Sequence, residues 1–136
     1  MKRSRSINSR DGALILVVQD VEETRDGIEV LLSADGYRVE PARDEADAVR
    51  RARYDAPALI LVSLGGPATG VIAAASRIRR RAELSDDVPV VIFCVDSIAE
   101  GAEVRVGVNV YVTRPDSFDQ LRHLLRRLLS RPRPIS

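Results

Sequence analysis

Apolar residues in this chain fall into two patterns, short unbroken runs and stripes of helical period, and the two alternate along its length. Leu14-Ile15-Leu16-Val17-Val18, Leu59-Ile60-Leu61-Val62 and Val90-Val91-Ile92-Phe93 are unbroken. Runs of this kind suit strands covered on both faces of a parallel sheet. Tyr37-Arg38-Val39-Glu40 alternates instead, as a half-buried edge strand does. Strands are predicted over 13–18, 37–40, 58–63, 88–94 and 108–113.

Helices are predicted over 21–35, 44–54, 69–82, 97–106 and 116–130. The first directs Ile28, Leu31 and Leu32 inward and ends at Asp35-Gly36, where glycine tolerates the left-handed cap. The second sets Ala46, Val49 and Ala52 or Arg53 along one side. The third carries Val71, Ile72, Ala75 and Ile78; the fourth is weak and interrupted by Gly101. In the last, Phe118, Leu121, Leu124, Leu125 and Leu128 make one stripe, and Pro132 and Pro134 end it. Strands alternating with helices imply a doubly wound parallel sheet with helices on both faces. Ligand sites in such sheets lie beyond the carboxyl ends of the strands. Asp20, Ser63, Cys94 and Arg114 all fall at those ends and are expected to converge.

At 136 residues the chain fits one domain, over 13–130, with a basic tail at 1–12, expected to be disordered, and a flexible tail at 131–136. It has no apolar run long enough to span a bilayer and no signal-like segment, so a cytoplasmic, non-membrane protein is expected. The single Cys94 has no internal disulfide partner. Residues 1–12 carry four basic groups against one acid, and 116–136 carry five against two, so each end is +3 and the remainder −5. Such asymmetry can mark an acidic partner. With three Tyr, two Phe and no Trp, stacking on nucleic-acid bases is disfavoured, and solvated ends are the simpler reading.

In order and spacing the segments Gln19-Asp20, Ser63, Cys94 and Arg114-Pro115 resemble the receiver domain of two-component response regulators. That family has an acidic pair after the first strand, a phosphoacceptor Asp after the third, a Thr or Ser after the fourth and Lys-Pro after the fifth. The resemblance covers residues 13–130 and implies a five-stranded parallel, flavodoxin-like (βα)5 fold of strand order 2-1-3-4-5. It also makes Tyr111 the counterpart of the family's switch aromatic. Gly65-Gly66-Pro67-Ala68-Thr69-Gly70 is similar to the family's Met-Pro-x-Met-Asp-Gly turn with one residue fewer.

Set against that frame, the phosphoacceptor pocket is degenerate. Gln19 stands in the acidic pair, Ser63 for the phosphoacceptor, Cys94 for the hydroxyl and Arg114 for the lysine. Asp20 alone remains as a carboxylate, so Mg²⁺ binding is expected to be lost or weak and no cofactor is expected. Ser63 lacks a base: His123, the only histidine, lies on the last helix. Cys94 would be a redox sensor only if a cation such as Arg114 lowered its thiol pKa. With Gln19 and Ser63 neutral, an Asp20–Arg114 ion pair across the pocket is expected from charge balance.

The implied function is a stand-alone, non-enzymatic pseudo-receiver of a bacterial phosphorelay, independent of phosphorylation. Its expected partners are a histidine kinase, another receiver or a second copy through the 97–130 face. The alternatives are a receiver switched by phosphorylation of Ser63 or by another ligand, a Ser/Cys enzyme, and nucleic-acid binding through the basic ends.

Overall fold

The structure, a computed structural model, describes residues 12–93 and 98–130. Parallel strands β1 (Leu14–Gln19), β2 (Arg38–Ala42), β3 (Leu59–Ser63) and β4 (Val90–Phe93) alternate with helices α1 (Glu22–Ala34), α2 (Glu45–Tyr54) and α3 (Ala68–Arg81). Strands β5 (Glu103–Gly107) and β6 (Val110–Thr113) and helix α4 (Phe118–Ser130) follow. The sheet order is β2-β1-β3-β4-β6-β5. Its five parallel strands keep the expected 2-1-3-4-5 succession, with β6 in fifth place.

The sixth strand is a correction. The segment expected as a helix over 97–106 runs as β5 from Glu103, antiparallel to β6, so the fold has four helices among the described residues rather than five. The physical reason is a period-two pattern that outweighs the helix formers before it. Val104 and Val106 alternate with Glu103, Arg105 and Gly107, and branched side chains prefer a strand. Asn109, at φ 58°, turns the hairpin, and Gly101, at φ 83°, breaks any helix before it.

Side chains alternate across the sheet and build two cores. Ile15, Val17, Leu59, Leu61 and Val91 pack with Leu32, Leu121, Leu124, Leu125 and Leu128 from α1 and α4. Leu16, Val18, Ile60, Val62, Ile92 and Val112 pack with Ala48, Val49, Val71, Ala75 and Ile78 from α2 and α3. The α4 stripe is as expected. On α1 the inward face centres on Leu32; Leu31, expected inside, is exposed. On α2 the buried apolar residues are Ala48, Val49 and Ala52, so Val49 and Ala52 lie inward as expected, while Ala46 and Arg53 face outward. The edge strand β2 tolerates Pro41 because it pairs on one side only, with β1.

Helix α2 is fastened at its N-terminal end by carboxylates. Asp44 caps it, its side chain accepting from the Asp47 backbone N–H at 2.8 Å. Burial pushes the Asp47 carboxyl up, but the Arg43 backbone N–H and Arg51 guanidinium that donate to it, and the charges of Arg51 and Arg50, hold it below its ordinary value. The Arg77 guanidinium, bonded twice to Glu45 at 2.8 Å, holds that carboxyl down too and joins α2 to α3. A depressed carboxyl pKa stabilises the fold above the unfolded value, and that stabilisation is lost as pH falls through the folded value. We therefore expect the melting temperature to fall below about pH 4. The fall should be shallower in Asp47→Asn, whose melting temperature at pH 7 is already reduced.

Candidate functional site

Parallel strands β1 and β3 end side by side, with Gln19 in register with Ser63. Gln19 is only 5% exposed, so its amide must find partners within the protein. Its Nε2 donates to Ser63 Oγ at 2.9 Å, and its Oε1 accepts from the Val21 backbone N–H at 3.0 Å. The Gln19 carbonyl accepts from Arg25 Nη1 at 2.8 Å, which ties the start of α1 to the strand end. Asp20 is exposed, and its Oδ2 meets the Gly65 backbone N–H at 3.5 Å. Gln19, Asp20 and Ser63 thus form one cluster where the sheet meets the loop before α3.

Arg114 does not join it. The expected Asp20–Arg114 ion pair is absent among the described contacts. Arg114 Nη1 instead donates to the Ile98 carbonyl at 3.3 Å. Its own backbone exchanges bonds with Gly101 and Ala102. The physical reason is that the chain leading into β5 brings peptide carbonyls beside Arg114, and these satisfy the guanidinium in place of a carboxylate. Tyr111 lies on the α4 side of β6 and donates its hydroxyl proton to Asn109 Oδ1 at 3.1 Å. His123 Nδ1 sits 2.8 Å from the Asp119 carbonyl on the exposed side of α4, away from Ser63. Cys94 lies outside the described residues, as do residues 1–11 of the expected basic tail and residues 131–136.

Sequence reasoning missed Arg25, which contacts the pocket through a backbone carbonyl. No motif marks such a contact; only its place in the first turns of α1 hints at it.

The donor set does not suit Mg²⁺. A hard cation needs several oxygen ligands, yet the Gln19 amide is engaged at both its polar atoms, and the only carboxylate in the cluster is Asp20. Among the described residues no group of three His, Cys, Asp or Glu side chains is arranged to hold a metal. Ser63 is half-buried and hydrogen-bonded to an amide rather than to a base, so it is not an activated nucleophile. What the cluster does is fasten the ends of β1 and β3 to each other.

A doubly wound sheet with this strand order, and a polar cluster at the carboxyl ends of β1 and β3, defines the fold of response-regulator receiver domains. The chain is similar in sequence to the response regulator MprA of Mycobacterium avium, 29% identical over 122 residues. That match covers 88% of this chain and 52% of the relative, so the chain spans about half the length of the curated relatives it matches. In structure it is similar to the receiver domain of the sensor histidine kinase PA1611 from Pseudomonas aeruginosa, which holds magnesium in its active-site cleft. The TM-score is 0.68 and the identity 27%, covering 88% of this chain and 99% of that one. The non-phosphorylated HemR receiver domain from Leptospira biflexa is also similar, with TM-score 0.69 and 23% identity, over 91% of this chain and 99% of that one. No protein-family model matches the chain. Among the described residues no helix is long and apolar enough to cross a membrane.

Proposed function

We propose that this chain is a receiver-type signalling domain of a two-component system that works in the bacterial cytoplasm without phosphorylation, by protein–protein contact. The observation that carries the reading is the Gln19–Ser63 hydrogen bond. In a phosphorylatable receiver, as the resemblance implies, these two positions hold carboxylates that repel one another until a cation neutralises them. Here they attract one another, and the strand ends are already joined. A pocket closed in this way has no charge imbalance for a phosphoryl group and cation to relieve. The domain is then an adaptor for a histidine kinase or another receiver, and not an enzyme.

The test is incubation with Mg²⁺ and either acetyl phosphate or beryllofluoride, read by intact mass and by backbone amide shifts around residues 20, 63 and 111. No mass change and no shift are expected. A stoichiometric, Mg²⁺-dependent response would overturn the reading. Phosphate on Ser63 in protein from the native host would replace it with a hydroxyl-based switch.

A further inference from the structure

The two edges of the sheet are not alike. On β2 the edge carries Pro41, which has no N–H to offer a further strand, and pairing there is discouraged. The other edge, β5, has no proline, and all five of its residues are exposed. Val104 and Val106 are 42% and 44% exposed, and Val108 in the turn is 59% exposed. Apolar side chains on an unpaired edge invite another strand.

The backbone pattern tells which groups on β5 are free. The Val90 N–H donates to the Asn109 carbonyl, so Asn109, and with it Tyr111 and Thr113, turn their backbone groups toward β4. Val112 therefore faces β5, and its partner there is Val104. Arg114 likewise exchanges bonds with Gly101 and Ala102. Val104 thus spends its N–H and C=O on β6, while those of Glu103 and Arg105 point away from the sheet.

We propose that β5 pairs antiparallel with β5 of a second copy of this chain about a two-fold axis at Val104. In this register Glu103 faces Arg105 of the other copy and exchanges both backbone hydrogen bonds with it, twice by symmetry. The opposite charges lie directly across from each other on one face, and the two Val104 side chains meet on the other. Moving the axis to Arg105 also aligns the free backbone groups, but it sets Arg105 against Arg105, and like charges directly opposite are destabilising. Charge complementarity therefore selects the Val104 axis.

In the single chain Glu103 is ion-paired with Arg127, and Arg105 Nε donates to the Gly107 carbonyl at 3.1 Å. Both contacts are exposed, so they exchange for intermolecular ones at small cost. A contact of so few residues lies below the size of a stable interface, so the dimer is weak and in rapid exchange. It depends on the β5 edge and not on the strand-end pocket, and a response to phosphodonors would leave it standing.

The test combines sedimentation equilibrium with oxidative cross-linking. Wild-type chain is expected to dimerise reversibly. Arg105→Pro removes an outward N–H together with the guanidinium that faces Glu103, and leaves the β5–β6 backbone bonds in place; it should keep the circular dichroism of the wild type and weaken the dimer by at least about tenfold. In a Cys94→Ser background, Val104→Cys brings two Cα atoms about 4.5 Å apart across a non-hydrogen-bonded pair, within disulfide reach. It should cross-link at least tenfold faster than Val106→Cys, roughly the contrast between a facing and an offset pair. The cross-linking arm stands even if the proline variant fails to fold. A monomer up to about 1 mM, an undiminished dimer in folded Arg105→Pro, or equal cross-linking at 104 and 106 would each overturn the proposal.

Discussion

Replacing Gln19 and Ser63 together by Asp is expected to lower stability at pH 7 by roughly 2–4 kcal/mol, and Mg²⁺ is expected to restore part of the loss. The two side chains stand in register and are joined by a 2.9 Å hydrogen bond between neutral groups. Two carboxylates at that separation exchange an attraction for a repulsion in a site where Gln19 is almost wholly buried. One carboxyl of the pair is then pushed up. The penalty exists above that raised pKa and is relieved as pH falls through it, so the variant should melt higher at pH 5 than at pH 8. With Asp20 the variant has three carboxylates, the donor set a hard cation prefers. At ten times its dissociation constant, Mg²⁺ would stabilise the variant by about 1.4 kcal/mol. Wild type should show no Mg²⁺-dependent shift in thermal melts. An equal shift in both proteins would mean that Asp20 and neighbouring oxygens suffice for the ion, and the reading of a closed pocket would fail.

Much of this arrangement is legible in the sequence because burial writes itself as pattern. The unbroken runs at 14–18, 59–62 and 90–93 identify central strands, and the Leu121, Leu124, Leu125, Leu128 stripe identifies α4. That Gln19, Asp20 and Ser63 cluster also follows from topology, since strand ends in a parallel sheet share one edge. What was not legible depends on competition between similar partners. Leu31 and Leu32 both suit an inward face, and only packing against β1 and β2 selects Leu32. Arg114 had a carboxylate as its expected partner, but a peptide carbonyl lay closer. The segment before β6 contains Ala99, Glu100, Ala102 and Glu103, good helix formers, ahead of Val104 and Val106. Its conformation is decided by the hairpin it makes with β6, a non-local contact that local propensity does not describe.

The hairpin in turn depends on a side chain from α3, and Arg79→Met is expected to cost roughly 2–4 kcal/mol. Arg79 is 8% exposed near the end of α3. Its Nη1 donates to the Val88 carbonyl at 3.1 Å and its Nη2 to the Val108 carbonyl at 2.8 Å, with the Asn109 carbonyl at 3.5 Å. One planar guanidinium therefore fastens α3 to the lead-in of β4 and to the β5–β6 turn at once. Methionine keeps an apolar stem but removes two charge-assisted hydrogen bonds at once, and a bond to a charged group is worth about 1.5–3 kcal/mol. For a domain of this length the loss corresponds to a fall in melting temperature of about 6–15 °C. Arg79→Lys should recover part of it, because an ammonium supplies the charge without the fork. Asp86, 3.6 Å from Arg79 but largely exposed, should matter little when changed to Ala. Hydrogen exchange locates the effect: amides of β5 and β6 should lose protection before those of β1 and β3. If protection falls evenly across the sheet, Arg79 supports the whole fold rather than this hairpin. If the melt does not move, strand pairing alone holds β5 in place.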